Sequence, residues 1–172
     1  MKRRVVITGI GVIAPNGIGK ENFWNALKEG KSGIKKITSF DTSDLPVKIA
    51  GEVTDFKPEE YIEDNKKIRR MARFSQFAVA CAKMAIQDAK INLKDIDLEK
   101  TLICLGVSTS AMDLIESQYK KFLNRGYKGI LPFSIFSASP SSPSHEILNN
   151  LEIGGDIITL SNDCIGGIEA IC

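Results

Sequence analysis

The sequence predicts an α/β layered domain, and three observations carry that expectation. Runs rich in β-branched residues occur at 3–13, 101–107 and 157–160. Each is nearly continuous in apolar residues, as a strand covered on both faces requires. Between them, at 21–29, 66–90 and 111–124, apolar residues recur every three or four positions, the period of an amphipathic helix. Alternation of the two patterns along one chain is what helices layered on a sheet produce.

The elements follow in chain order. Residues 3–13 read as the first strand, with Pro15, Asn16 and Gly17 turning the chain after it. Gly9 to Ala14 matches the G-x-G-x-x-A dinucleotide fingerprint. That fingerprint needs a helix opening at its second glycine and an acid on a second strand about 20 residues on. A turn follows instead, and Glu29 falls in a helical stretch, so the reading is rejected. Gly19-Lys20 fails as a phosphate loop, because Glu21 stands where a hydroxyl is needed. Residues 21–29 form a helix through Phe23, Trp24 and Leu27, stopped by Gly30. A loop-rich stretch with a strand at 47–53 comes next.

Residues 66–90 give the strongest helical pattern, through Phe74, Phe77, Ala78, Cys81, Ala82, Ala85, Ile86 and Ala89. Its first turns carry Lys66, Lys67, Arg69, Arg70 and Arg73, read either as a solvated face or as a docking patch for an acidic partner. The strand at 101–107 leads to Ser108, Thr109 and Ser110, any of which can cap the helix at 111–124. Residues 130–143 hold three prolines and many serines, and read as a loop lining a pocket. A short helix at 145–151 precedes the last strand at 157–160.

Composition bounds the function. The 172 residues are 43% hydrophobic and 26% charged, enough for one good core. Lys and Arg exceed Asp and Glu by 23 to 21, so no global basic field invites nucleic acid. No apolar run reaches the roughly 18 residues of a membrane span. The basic N-terminus is not followed by a signal-peptide core, and a cytoplasmic protein is expected. The cysteines lie at 81, 104, 164 and 172 without a CxxC pair, and His145 is the one histidine, so no metal site is expected. Cys81 and Cys104 read as core.

Residues 157–172 carry the chemistry. The strand is interrupted by Ser161, Asn162 and Asp163, Cys164 follows, and helical spacing resumes from Ile165. Cys164 therefore stands at a strand-to-helix turn. Such a turn lifts a nucleophile off the sheet edge, and the start of a helix favours negative charge there. The alternative is a buried structural cysteine.

In their order and spacing these blocks resemble the N-terminal half of an elongating β-ketoacyl-acyl-carrier-protein synthase, a condensing enzyme of the thiolase superfamily. The resemblance rests on VVITGIGVIAPNG at 5–17, FWNALKEGKSGI at 23–34, FDTS at 40–43, AGEV at 50–53, RRMARFSQFAVACAKMAIQDA at 69–89, Gly106, Pro132-Phe133 and Cys164. It implies an α/β, thiolase-like layered fold, one half of it here, with a mixed five-stranded type of sheet and helices on both faces. It implies an acyltransferase of fatty acid or polyketide biosynthesis, needing no cofactor and active as a homodimer. Residues 1–172 would be the N-terminal half, with the C-terminal half absent from this chain. Cys164 falls at the acyl-accepting position. Lys66, Arg69, Arg70 and Lys128 fall where basic residues meet the acyl carrier protein, which brings acyl and malonyl groups on phosphopantetheine. Thr109 and Phe133 fall near the acyl-chain pocket.

Two departures qualify the resemblance. The family usually has Ala before its cysteine and Ser or Thr after it, whereas Asp163 and Ile165 flank Cys164. A carboxylate there works against negative charge on the sulfur. The family's two catalytic histidines and its phenylalanine backbone donor belong to the C-terminal half, and His145 matches neither histidine. It reads as a surface residue at a helix start. A non-catalytic homologue that shapes a pocket or a dimer is the alternative. A thiolase acting on coenzyme A esters fits the fold but not the basic helix.

Overall fold

The computed structural model describes residues 4–172. The chain divides into two compact units. The first comprises residues up to Lys57 together with Cys81–Ile91, and the second Pro58–Ala80 with Asn92–Cys172.

In the first unit, strands β1 (Ile13–Ala14) and β2 (Gly17–Ile18) form an antiparallel hairpin across Pro15 and Asn16. Helix α1 (Lys20–Lys28) follows. It ends as the sequence anticipates. Gly30 takes a φ of 64°, its N–H donates to the Leu27 carbonyl, and the Lys31 N–H donates to the Ala26 carbonyl. This paired pattern satisfies the last helical carbonyls. Strands β3 (Ile34–Lys36) and β4 (Ile49–Gly51) pair antiparallel, with Lys35 opposite Ala50.

Of the strand expected at 3–13, residue 3 lies outside the described residues, and from residue 4 on no strand forms before β1. Residues 4–12 join no ladder, and Val5 and Ile7 are 91% and 76% exposed. β-Branched residues favour an extended backbone, but a strand also needs a neighbour to take its N–H and C=O groups. Gly9 and Gly11 instead lie against a helix: a Cβ on either would run into the carbonyl of Ala85 or Cys81. These two glycines allow close backbone packing.

The long helix expected at 66–90 is two helices, α2 (Asn65–Arg70) and α3 (Arg73–Ala89). Asp64 caps α2 by accepting the Lys66 N–H. Met71 then becomes extended, and Met71 and Ala72 are buried at 6% and 3% exposure. The Gln76 amide donates to the Ile68 and Met71 carbonyls, so the break leaves those carbonyls satisfied. Burial of two side chains here overrides helical periodicity.

In the second unit, β5 (Leu102–Gly106) and β6 (Asp156–Leu160) run parallel, with Cys104 opposite Ile158. The three ladders are each two-stranded, among the described residues, where one five-stranded sheet is expected. Helix α4 (Met112–Arg125) starts at Ala111 with no side-chain cap, so none of the three preceding hydroxyls serves that role. The expected loop at 130–143 contains a short helix, α5 (Ser134–Ser137), and the start of α6 (Ser142–Leu151), whose first turn accommodates Pro143. Ser75 and Ser144 are fully buried, and their hydroxyls meet Ser142 at 3.2 Å and Thr159 at 3.3 Å. Hydroxyl pairing lets serine serve as core filler.

Candidate active site

The cysteine turn is assembled at the C-terminal ends of the parallel pair. After β6 the chain makes a single tight 3-10 turn, Asp163–Ile165, and enters helix α7 (Gly166–Glu169). Cys164 lies in that turn and is exposed, as strand-to-helix spacing anticipates. Its helix is a single turn, shorter than expected.

Three contacts shape the turn. The Ile165 N–H donates to the Asn162 carbonyl at 3.2 Å. The Asn162 amide donates to Glu169 Oε2 at 2.6 Å, tying the strand end to the end of α7. The Ser108 hydroxyl reaches Asp163 Oδ1 at 3.4 Å. Asp163 takes a φ of 46°, in the left-handed region that Asp and Asn tolerate better than most residues. Beneath the turn, Gly106 abuts Gly166, and the Val107 N–H donates to the Leu160 carbonyl at 2.8 Å.

The other anticipated residues fall in two places. Thr109 is exposed just after β5, in a depression lined also by Phe74, Ala78, Gly106 and Pro143. Gly106 links that depression to the cysteine turn. Phe133 lies elsewhere in the second unit, in a cleft of about 460 Å³ with Arg70, Phe136, Ser141, His145 and Glu146. Phe133 and Arg70 are brought together: the guanidinium carbon stands 4.8 Å from the ring centroid. The Ser137 hydroxyl donates to the Arg70 carbonyl at 2.5 Å.

Lys66, Arg69 and Arg70 are all exposed on α2, and the last turn of α2 gathers Lys67, Arg69 and Arg70, where positive charge complements the helix dipole. Lys128 is exposed on a separate 3-10 turn, Gly126–Gly129. His145 is exposed in the first turn of α6, its Nδ1 2.9 Å from the Ser141 carbonyl. Next to it, burial pushes the Glu146 carboxyl up, while Lys67 and His145 pull it down.

Cys81 and Cys104 are half-buried rather than fully enclosed. Burial pushes the Cys81 thiol up, opposed by a backbone hydrogen bond at Ile13. Among the described residues no group of His, Cys, Asp and Glu side chains is gathered to hold a metal ion, and no helix is long and apolar enough to cross a membrane. Sequence reasoning missed Ser108, Asn162 and Glu169 as parts of the turn. Only the seven-residue spacing of Asn162 and Glu169, about two helical turns, was a signal, and it is a weak one.

Known proteins share the sequence and the fold. A family model described as Beta-ketoacyl synthase, N-terminal domain, matches residues 2–171. The chain is 36% identical over 170 residues to 3-oxoacyl-[acyl-carrier-protein] synthase 2 of Coxiella burnetii, covering 99% of this chain and 41% of that protein. It is 34% identical to the Synechocystis protein of the same name, with the same coverage. The chain thus spans well under half the length of these relatives. The solved ishigamide ketosynthase/chain length factor superimposes with a TM-score of 0.82 at 31% identity, over 94% of this chain and 40% of that one. A β-ketoacyl synthase from Burkholderia phymatum matches the fold with a TM-score of 0.81 at 24% identity, over 99% of this chain and 42% of that one. The fold is therefore α/β and thiolase-like, and the chain belongs to the β-ketoacyl synthase family, matching its N-terminal domain.

Proposed function

We propose that the chain supplies the cysteine-bearing N-terminal half of a β-ketoacyl-acyl-carrier-protein synthase of fatty acid or polyketide biosynthesis. Cys164 accepts the acyl group. Its sulfur attacks the carbonyl of an acyl thioester on the carrier's phosphopantetheine. The old carbon–sulfur bond breaks, the carrier leaves as a thiol, and the acyl group remains as a thioester on Cys164. Sulfur suits both steps, being a strong nucleophile and a good leaving group. Malonyl-carrier protein then loses carbon dioxide, and the resulting carbanion attacks the Cys164 thioester. The histidines that assist this step belong to a C-terminal half. Lys66, Arg69, Arg70 and Lys128 meet the acidic carrier, and Thr109 and Phe133 contact the acyl chain. The whole enzyme works in the cytoplasm as a homodimer.

The observation that supports this reading is an exposed Cys164 in a turn between β6 and α7. Its test is self-acylation. Incubation of the 172-residue chain with a medium-chain acyl-pantetheine thioester should add one acyl group at Cys164 by peptide mass spectrometry. Cys164→Ser should abolish the thioester adduct at that peptide. An unmodified Cys164 would favour the second reading, a non-catalytic homologue acting as a pocket-shaping or dimer partner. The presence of Asp163 beside the thiol is the observation on that side.

A further inference from the structure

Two carboxylates stand in the turn and short helix that carry Cys164. Asp163 precedes Cys164 directly and is exposed, touched by the neutral Ser108 hydroxyl. Glu169 lies five positions on, bonded by the neutral Asn162 amide. Among the described residues neither carboxylate is in an ion pair, so no side-chain cation is paired with either toward an approaching reagent. Asp163 is also held in place by the backbone. Its left-handed φ of 46° and the Gly166 N–H donated to its own carbonyl fix the turn on which the side chain sits.

We infer that Asp163 is a specificity-determining residue that makes Cys164 select acyl donors uncharged near the reacting carbonyl and reject those carrying a carboxylate there. The inference rests on the reading of Cys164 as the acyl acceptor and adds a substrate class to it. In the proposed reaction one partner brings a neutral acyl chain and the other a malonyl carboxylate. A negative charge beside the sulfur raises the encounter cost of the second and leaves the first untouched. It therefore directs the malonyl group away from the cysteine. At a water-exposed site such a charge changes a rate by about threefold, and dissolved salt screens it.

The test compares a neutral and an anionic alkylating reagent, iodoacetamide and iodoacetate, at Cys164 with peptide-level readout. Both react with the same thiolate, so their rate ratio cancels the degree of ionisation and the access to the sulfur. The Asp163→Asn variant retains a residue suited to the left-handed backbone and removes the charge. At low salt the neutral-to-anionic ratio at Cys164 should be about threefold higher in the wild type than in Asp163→Asn. The gap should close at about 1 M salt, while the ratio at Cys172 stays the same in both proteins. In the wild type alone, the Cys164 ratio should fall with salt more steeply than that of N-acetylcysteinamide, a thiol with no neighbouring carboxylate, which keeps the test available if the variant fails to fold. A Cys164 ratio indifferent to Asp163→Asn, or with the salt dependence of that free thiol in the wild type, overturns the filter. Acylation by the pantetheine thioester without a ratio shift leaves the acyl-acceptor reading standing and removes only the filter. A ratio shift without acylation leaves a charge effect at Cys164 but removes the acyl-acceptor reading, and the acyl-donor filter with it. A Cys164 that reacts with neither reagent overturns both.

Discussion

The α-carbon of Gly106 lies so close to Gly166 that a side chain on Gly106 would overlap the Gly166 carbonyl group. This contact joins the end of β5 to the start of α7 and so sets the floor under Cys164. Gly106→Ala should therefore destabilise the protein by roughly 1–3 kcal/mol, as overpacking of a tight contact does. Gly167, one residue on, has open space around its would-be Cβ. Gly167→Ala should be neutral or stabilising by up to about 1 kcal/mol, through helix propensity. Urea unfolding of the two variants decides this, and equal effects would disprove the contact.

Glu52 is a second point of leverage. Its two oxygens accept hydrogen bonds from the backbone N–H and hydroxyl of both Thr38 and Ser39. Led by the Ser39 hydroxyl, these donors hold its carboxyl down at about 2, from an ordinary 4.5. A depressed folded value stabilises the fold fully above the unfolded value, and the contribution disappears as pH falls from about 4.5 through about 2. Wild type should melt above Glu52→Gln at pH 6, and the two curves should converge near pH 2. A gap of constant size would mean that the clamp does not depend on charge.

The cysteines should separate by exposure. Cys164 and Cys172 are exposed, whereas Cys81 and Cys104 are half-buried, and Cys81 is pushed up by burial. Iodoacetamide near neutral pH should modify Cys164 and Cys172 first and Cys81 last. Early labelling of Cys81 in the folded protein would contradict its half-buried position.

The proposed docking of a carrier on α2 can be probed unequally at its two arginines. Arg70 also stacks on Phe133, a contact worth about 0.5–1 kcal/mol at an exposed site. Arg69→Glu should weaken binding of an acidic carrier and flatten its salt dependence with no change in melting temperature. Arg70→Glu should do the same and also lower stability. Unchanged affinity at low salt for both would reduce the cluster to a solvated face.

Exposed apolar surface should make the chain associate. Tyr119, Phe122 and Leu123 on α4 and Ile135 and Phe136 around α5 are all exposed, Ile135 and Phe136 at 75% and 72%. Apolar patches of this kind are rarely left bare. Sedimentation should show self-association that grows with concentration, and a monomer at all concentrations would count against it.

The sequence by itself determined the features that depend on neighbours within a few residues. The hairpin turn at Pro15-Asn16, the Gly30 stop of α1, and the strand–turn–helix order around Cys164 all come from local backbone preferences, which act whatever the rest of the chain does. The family was legible for a related reason, because many short blocks keep their order and spacing over the whole chain. Only the tertiary structure decided the rest. Met71 and Ala72 break a continuous helical pattern because burying them outweighs helix propensity. Residues 4–12 have strand character but no ladder, because a ladder needs a second chain segment that propensity does not supply. The cysteine turn shows both levels at once. Its position follows from β-branched residues giving way to polar ones. The Asn162–Glu169 bond is local, but the turn's bracing by Ser108, and the floor where Gly106 meets Gly166, required β5 and β6 to pair in parallel register, bringing residues about 55 positions apart within hydrogen-bond reach.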